Sequence, residues 1–385
     1  MKVYALFPAY SGRNRNEVSI IQNEFIKQIE ANYITAGTIC VTSETALAEE
    51  YEKIEDGDDV VIVLYGDDIN AWFADIVKNS VIVKKCVHVS CMNGKVLQFD
   101  RPLNNFFTFS PTNCSTINAL CTCLFGGMLS LKSLSNRFSN YDNKMVVFYQ
   151  DDSYGNDHVE LISNIVKGSG FCVNPNVKPI ANWPSFKDEI KEIVGNLRGE
   201  MSTLVYFVGF GDSYLDAVKD FVLGLTYDCN VVIFSNQLVR SLENEKEVVS
   251  HLRDSNIDFY YTAPCRVEVG GHDVLGDQIS LIYIRELAKW FNDVARNVSS
   301  GVVINVASSL WHNRHRRTVL GDMVINITGE TTVPYYVFNL KEANFEICLM
   351  PNGRSDEELS NILMEFNSKQ QSLGITFPVG RCSCD

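Results

Sequence analysis

Asp59-Val60-Val61-Ile62-Val63-Leu64 leads directly into Tyr65-Gly66-Asp67-Asp68, and a helical pattern then runs through Val77. After its first residue the run has no polar interruption. A strand buried on both faces reads this way, and such strands sit in parallel sheets with helices packed on either side. The glycine and the two acids mark the end of the strand and the start of the crossover helix. The same rhythm spreads outward from here. Towards the N-terminus, residues 2–8 are β-rich, a turn follows at Ser11-Gly12, and 16–31 read as a helix. Towards the C-terminus come strands at 85–90 and 106–109 and a long helix at 116–138.

The rhythm then restarts. Residues 144–149 form a strand, 151–156 a loop and 158–168 a helix closed by Gly168 and Gly170. A strand at 203–208 ends in Gly209-Phe210-Gly211-Asp212 and enters a helix at 214–224. Further strands are expected at 230–234, ending in Ser235-Asn236-Gln237, and at 259–262, with a long helix over 276–297. The character then changes: 318–327 and 335–340 read as a hairpin joined at Gly329-Glu330, and 352–385 are polar and helical. Two successive βα sets of similar length predict an α/β protein of two Rossmann-like lobes with parallel sheets. Ligands of such sheets bind beyond the carboxyl ends of the strands.

Composition narrows the function. The 385 residues are 46% hydrophobic and 11% aromatic, enough for sizeable cores. A net charge of −14 argues against nucleic acid and against anionic membrane surfaces as partners. No apolar run reaches the roughly 18 residues of a membrane span. The N-terminal residues read as a strand rather than as a signal peptide. The 12 cysteines include no CxxC pair, so neither thioredoxin chemistry nor zinc-ribbon spacing is supported. The even count fits disulfides and buried thiols equally. Three Asn-x-Ser/Thr sequons, at Asn113, Asn297 and Asn326, are no more than chance would give.

No Walker A motif, dinucleotide fingerprint, GxSxG elbow or HExxH motif occurs. Gly209-Phe210-Gly211 lacks the third glycine of a dinucleotide loop and reads as a tight turn that lets backbone approach a ligand. Asp67-Asp68 and Asp151-Asp152 each read either as a helix start or as carboxylates for magnesium. Trp311-His312-Asn313-Arg314-His315-Arg316-Arg317 reads as a solvated basic face between a helix and a strand, or as a phosphate-binding or pH-reporting run. No nucleophile, base and orienting acid stand together in sequence. The expectation is therefore no catalytic residue, no metal and no cofactor.

Residues 144–171, a strand leading through Gln150-Asp151-Asp152-Ser153-Tyr154-Gly155 into a helix, resemble the opening of the second lobe of type I periplasmic binding proteins, where a strand meets D-x-x-Y-G. Residues 205–218 resemble the next βα unit of that family. Pro8-Ala9-Tyr10-Ser11-Gly12 resembles its N-terminal P-x-S-G loop, and 321–329 its late hairpin. The resemblance covers about residues 2–340 and keeps the order of every element. It implies two α/β lobes joined by three crossovers, near Asn140, Thr262 and Val319, closing on a small polar ligand such as an amino acid or amide. Lobe 1 would be 1–140 with 263–319, lobe 2 would be 141–262 with 320–340, and 341–385 a C-terminal extension.

Carried over by position, the resemblance implies ligand contacts from Tyr10 and Ser11, from Asp67 and Asp68, from Ser90 and Cys91, and from Tyr154, Phe210 and Gly211. Gln237 stands where the family often carries the acid that pairs with a ligand's ammonium, which weakens the case for a free α-amino acid. The family's Ser-rich carboxylate loop is replaced by Gly66-Asp67-Asp68-Ile69-Asn70, whose acids would repel a carboxylate.

A narrower resemblance concerns Ser309–Arg317 followed by Gly321-Asp322-Met323-Val324-Ile325, together with Phe106–Pro111 and Arg381-Cys382-Ser383-Cys384. These are similar to segments in the ectodomains of kinetoplastid receptor-type adenylate cyclases; any cyclase domain would lie outside these residues. The first expectation is thus a Venus-flytrap module acting as a sensor or receptor ectodomain outside the cell, with a homodimer or a receptor as partner. A ligand-free interaction module on the same fold, a cytosolic amide sensor, and an enzyme using Asp67, Asp68 or Asp151 with a metal are the alternatives.

Overall fold

In the computed structural model the residues described are 1–9, 13–29, 33–79, 83–94, 105–111, 113, 116–117, 141–150, 153–166, 172–173, 202–209, 212–229, 231–263, 268–269, 272–273, 278–302, 305–325, 331–342 and 346–349. They divide into two compact units. The first comprises Met1–Thr112 and Val267–Pro334, the second Asn113–Arg266 and Tyr335–Asp385. The chain passes between them three times.

The first unit runs β1 (Lys2–Pro8), α1 (Arg13–Gln28), β2 (Thr35–Val41), α2 (Glu44–Lys53), β3 (Val60–Tyr65), α3 (Asp67–Asn79), β4 (Val87–Cys91) and β5 (Phe106–Thr108). Its sheet has the order β2-β1-β3-β4-β5, parallel throughout, with Leu6 beside Leu64 and Leu64 beside Ser90. All six residues of β3 are buried. Alternate side chains leave a strand on opposite faces. Leu6, Ile62 and Leu64 therefore join Leu47 and Tyr51 of α2 and Ile69, Phe73 and Val77 of α3 in one core layer.

The second unit carries β6 (Tyr141–Tyr149), α4 (Ser153–Val166), β7 (Cys172–Val173), β8 (Ser202–Val208), α5 (Asp212–Gly224) and β9 (Val231–Asn236). A 3₁₀ segment (Gln237–Asn244), α6 (Lys246–Arg253) and β10 (Asp258–Ala263) follow. The first unit then resumes with β11 (Glu268–Val269), β12 (His272–Asp273), α7 (Gln278–Ser299), α8 (Val306–His312), β13 (His315–Thr318), β14 (Gly321–Ile325) and β15 (Thr331–Thr332). Last come β16 (Tyr335–Asn339) and β17 (Glu346–Leu349), back in the second unit. The second sheet reads β17-β16-β10-β9-β8-β6-β7. Its parallel part repeats the order of the first sheet: second strand, first, third, fourth, fifth. Such doubly wound sheets place their functional edge at the carboxyl ends of the strands.

α7 is the long helix of the first unit. Trp290 is fully buried and stacks on Phe109 with ring centroids 5.2 Å apart, while Phe291 meets Phe25 of α1 at 6.4 Å. Asn292 Nδ2 donates to the Gln28 carbonyl at 2.9 Å, and Arg285 pairs with Glu24 at 2.6 Å, fixing α7 along α1.

Several expectations change. The hairpin of 318–327 with 335–340 does not form: β14 pairs with β13 and β15, whereas β16 pairs antiparallel with β10 and β17. The passages between units fall at Thr112–Asn113, Arg266–Val267 and Pro334–Tyr335, where crossovers near Asn140, Thr262 and Val319 are expected from the sequence. The segment 341–385 is not wholly an appendage, because β17 extends the second sheet. The helix expected from 158 begins at Ser153, so Tyr154 and Gly155 lie on its first turn and not in a loop. β2, α2, α6, α8 and the 3₁₀ segment are additional. The expected helix at 116–138 lies almost entirely outside the described residues, as does 352–385. No helix among the described residues is long and apolar enough to cross a membrane.

Candidate functional site

At the carboxyl edge of the first sheet, β3 ends at Tyr65 and turns through Gly66, whose φ of 84° is the left-handed conformation that glycine adopts without strain. Gly66 N donates to the Cys91 carbonyl at 2.9 Å, tying the β3 turn to the end of β4. Asn70 locks the turn from within α3, its Nδ2 bonding Leu64 O at 3.0 Å and Gly66 O at 2.8 Å. Asp67 and Asp68 occupy the first turn of α3, where the helix dipole favours carboxylates. Asp67 Oδ1 also accepts from Gly94 N at 2.7 Å, so this acid holds the loop after β4.

Ser90 is fully buried in β4, and its Oγ has no hydrogen-bond partner among the described residues. Cys91, next along the strand and on the opposite face, is also fully buried; burial pushes its thiol far above the ordinary range. Met92 then adopts a φ of 54°, a left-handed conformation that costs a non-glycine residue energy. Asn93 N donates to Ser110 Oγ at 3.3 Å, closing the loop onto the segment after β5.

The second unit builds its carboxyl edge from Tyr154, Gly155, Gly209, Tyr214, Ser235 and Asn236. Gly155 is dictated by backbone: a Cβ there would lie 1.9 Å from the Gln150 carbonyl oxygen. That close approach explains the glycine of the Tyr-Gly pair. Tyr154 is half-buried, and its ring meets His158 edge-on with centroids 4.5 Å apart. The Tyr154 hydroxyl accepts from Asn236 Nδ2 at 3.4 Å, and the same amide donates to Gly209 O at 2.8 Å. His158 is fully buried; its Nδ1 is 3.0 Å from Tyr154 O, and burial lowers its pKa to about 4. Thr262 of β10 is likewise buried, and its hydroxyl has no hydrogen-bond partner among the described residues.

Gly209 shows why local reading misleads. It packs flat against Tyr214, and a Cβ would lie 2.6 Å from that ring. The glycine makes room for a side chain of its own unit, where close approach of a ligand was expected. Tyr214 is itself buried, its hydroxyl bonded to Phe207 O at 3.2 Å and to the Ser235 hydroxyl.

Of the residues expected to contact ligand, Asp67, Asp68, Ser90 and Cys91 thus gather at the first edge, and Tyr154 lies at the second. Tyr10, Ser11, Phe210 and Gly211 lie outside the described residues, as do Asp151 and Asp152. Gln237 opens the 3₁₀ segment, and its side chain also lies outside them. Asn236, one residue earlier, is the polar group that reaches Tyr154; β9 runs two residues beyond the expected end at 234 and so carries Asn236 to the edge. Among the described residues no group of three or more His, Cys, Asp or Glu could hold a metal. Cys40, Cys86, Cys91 and Cys229 are free thiols.

No protein-family model and no curated protein matches this sequence. Solved structures match its fold. The leucine-binding protein LivK of Thermotoga maritima superposes with a TM-score of 0.61 at 12% identity, covering 92% of this chain and 100% of its own. An ABC-transporter solute-binding protein of Rhodopseudomonas palustris, solved with benzoate, gives 0.60 at 11% identity, covering 91% and 95%. The branched-chain amino acid binding protein LivJ of Streptococcus pneumoniae, solved with isoleucine, gives 0.54 at 11%, covering 91% and 99%. The chain has the type I periplasmic binding protein fold.

Proposed function

We propose that the chain is a binding module for a small polar ligand that carries no carboxylate, and that it performs no catalytic step. The observation that carries this reading is Tyr154: a half-buried aromatic at the carboxyl edge of the second sheet, its hydroxyl anchored by Asn236 and its ring braced by His158. A rigid apolar face with a fixed polar tip is what small-molecule sites use to orient a ligand. Structures of this fold include proteins solved with isoleucine and with benzoate, which supports ligand binding here. Both ligands are carboxylates, whereas Asp67 and Asp68 place negative charge at the first edge. An amide, an amine or an uncharged polar ligand suits that charge. Its binding would serve a sensor or receptor role outside the cell.

The test is a thermal-shift screen of isoleucine and benzoate against isoleucinamide and benzamide, extended to other amides, nucleosides and sugars. A ligand at about 100 times its dissociation constant adds about 2.7 kcal/mol of stability. The expected result is stabilisation by an amide or uncharged member and not by the matching acid, lost in Tyr154→Ala. A folded protein that no ligand stabilises would favour a second reading, a ligand-free interaction module. The use of Asp67 as a strut for Gly94 N–H is the observation on that side.

A further inference from the structure

The basic run that begins at Trp311 takes no part in the ligand edges, and it lies on the outer strand of a sheet. β13 is an end strand of the order β13-β14-β15, paired on one side with β14. Ile325 N donates to Arg314 O at 3.0 Å. Residues of an antiparallel pair alternate between bonding towards the partner and bonding away from it. Arg314 and Arg316 therefore bond towards β14, while His315 and Arg317 turn their N–H and C=O groups to the outer side. No described strand pairs there.

The side chains give this edge a sign. Arg314, His315 and Arg317 are exposed, and none has an ion-pair partner among the described residues. Arg316, on the face opposite His315 and Arg317, bonds Asp293 at 2.8 Å, an acid that Arg296 shares at 3.4 Å. Asp322 stands opposite Arg317 across the ladder. Four guanidinium groups thus face two carboxylates, in a chain whose net charge is −14. Open edges invite pairing, and charge on the edge is a common guard against it. Here the charge guards against only one kind of strand. A second copy presenting the same edge would set arginine against arginine, which is unfavourable. A strand bearing carboxylates would meet both free backbone groups and complementary side chains.

We propose that the outer edge of β13 is a docking surface for an acidic, extended peptide segment of another protein, added as a fourth strand. The probe is a fluorescein-labelled peptide, Thr-Glu-Val-Glu-Val-Glu, titrated with the full chain and read by anisotropy. Its controls are the lysine counterpart and a version N-methylated at alternate residues, which cannot complete the ladder. Saturable binding of the acidic peptide is expected, at least about tenfold weaker for R314E/R317E and weakening with added salt. R317P should bind more weakly than R317A, because it removes the outward N–H as well as the charge; proline is tolerated on edge strands. Circular dichroism checks that each variant is folded. Three results would overturn the proposal: no binding at about 1 mM, a scale at which docking would be too weak to matter; equal binding of the N-methylated peptide, which would leave a simple anion patch; or self-association abolished by R314E/R317E, which would make the edge a contact between copies.

Discussion

Gly155 and Tyr214 fix the second unit's carboxyl edge through opposite means, one by lacking atoms and the other by filling space. A Cβ on Gly155 would press into the Gln150 carbonyl, a backbone atom that cannot swing aside. Gly155→Ala should therefore cost about 3 kcal/mol or more, at the severe end for overpacking. Gly37 lies in a strand with no atom within 4 Å of its missing Cβ, so Gly37→Ala should be close to neutral. Urea midpoints of the two variants check the contrast, and similar losses would refute the carbonyl argument. Tyr214→Phe removes the donor to Phe207 O and the partner of the buried Ser235 hydroxyl. It should cost about 1–3 kcal/mol. Restoring balance with Tyr214→Phe/Ser235→Ala should recover part of that loss, whereas additive losses would show that the two hydroxyls do not depend on each other. At this scale the sequence is legible where backbone geometry demands a residue type. The Tyr154-Gly155 pair is recognisable for that reason, although Gly155 answers to Gln150 and not to a ligand. Asn236 escapes notice because only the true end of β9 brings its amide to Gly209 and Tyr154.

Elements are legible in proportion to how completely they are buried. β3 and the other central strands announce themselves as uninterrupted apolar runs. β2 does not: Thr35-Ala36-Gly37-Thr38 sits on the sheet margin with mostly half-exposed residues, so neither alternation nor apolar density marks it. α2 is equally quiet, since Leu47 and Tyr51 are its only buried side chains. β16 carries a different lesson. Its residues read as a strand, but period and composition say nothing of its pairing with β10, where Tyr260 and Asn339 are 79 residues apart in sequence. Where elements converge, the energetics become specific. Trp290 ties α7 to β5 and the segment after it, through Phe107 at 6.1 Å and Phe109 at 5.2 Å. Its indole N–H has no acceptor among the described residues, so the contacts they offer it are packing contacts. Trp290→Ala should cost about 3–5 kcal/mol. Trp290→Phe should cost markedly less, because it gives up no hydrogen bond. Equal losses in thermal melts would mean that the N–H has a partner after all.

Across the whole molecule the same strand order occurs twice, and among the described residues each unit has a fully or almost fully buried histidine, His88 in the first and His158 in the second. His88, in β4, is held by Tyr51 OH at 3.2 Å and lies against Phe73 at a ring distance of 4.9 Å. Burial lowers its pKa to about 4, against a weak opposing pull from Asp56. His158, beside Tyr154 and Tyr206, is lowered to about 4 by burial as well. In the unfolded chain both rings take up protons from about pH 6.5 downward. The folded chain refuses those protons until about pH 4. The stability that neutral burial permits is therefore fully present above pH 6.5, drains away as the pH falls towards 4, and changes no further below that on account of these two groups. At roughly 1.4 kcal/mol per pKa unit, each histidine can account for about 3 kcal/mol at most. Urea midpoints at about pH 7.5 and 4.5 should reveal the drop, and His88→Phe and His158→Phe should each shrink it while the double variant shrinks it most. The comparison must be made between pH values within each variant, because His88→Phe also takes from the Tyr51 hydroxyl one of its two partners, leaving Lys84 N at 3.2 Å, and lowers stability at every pH. If the drop persists undiminished in the double variant, the acid sensitivity resides in carboxylates such as Glu24, whose bond to Arg285 holds its pKa below the usual range and so loses its contribution at lower pH.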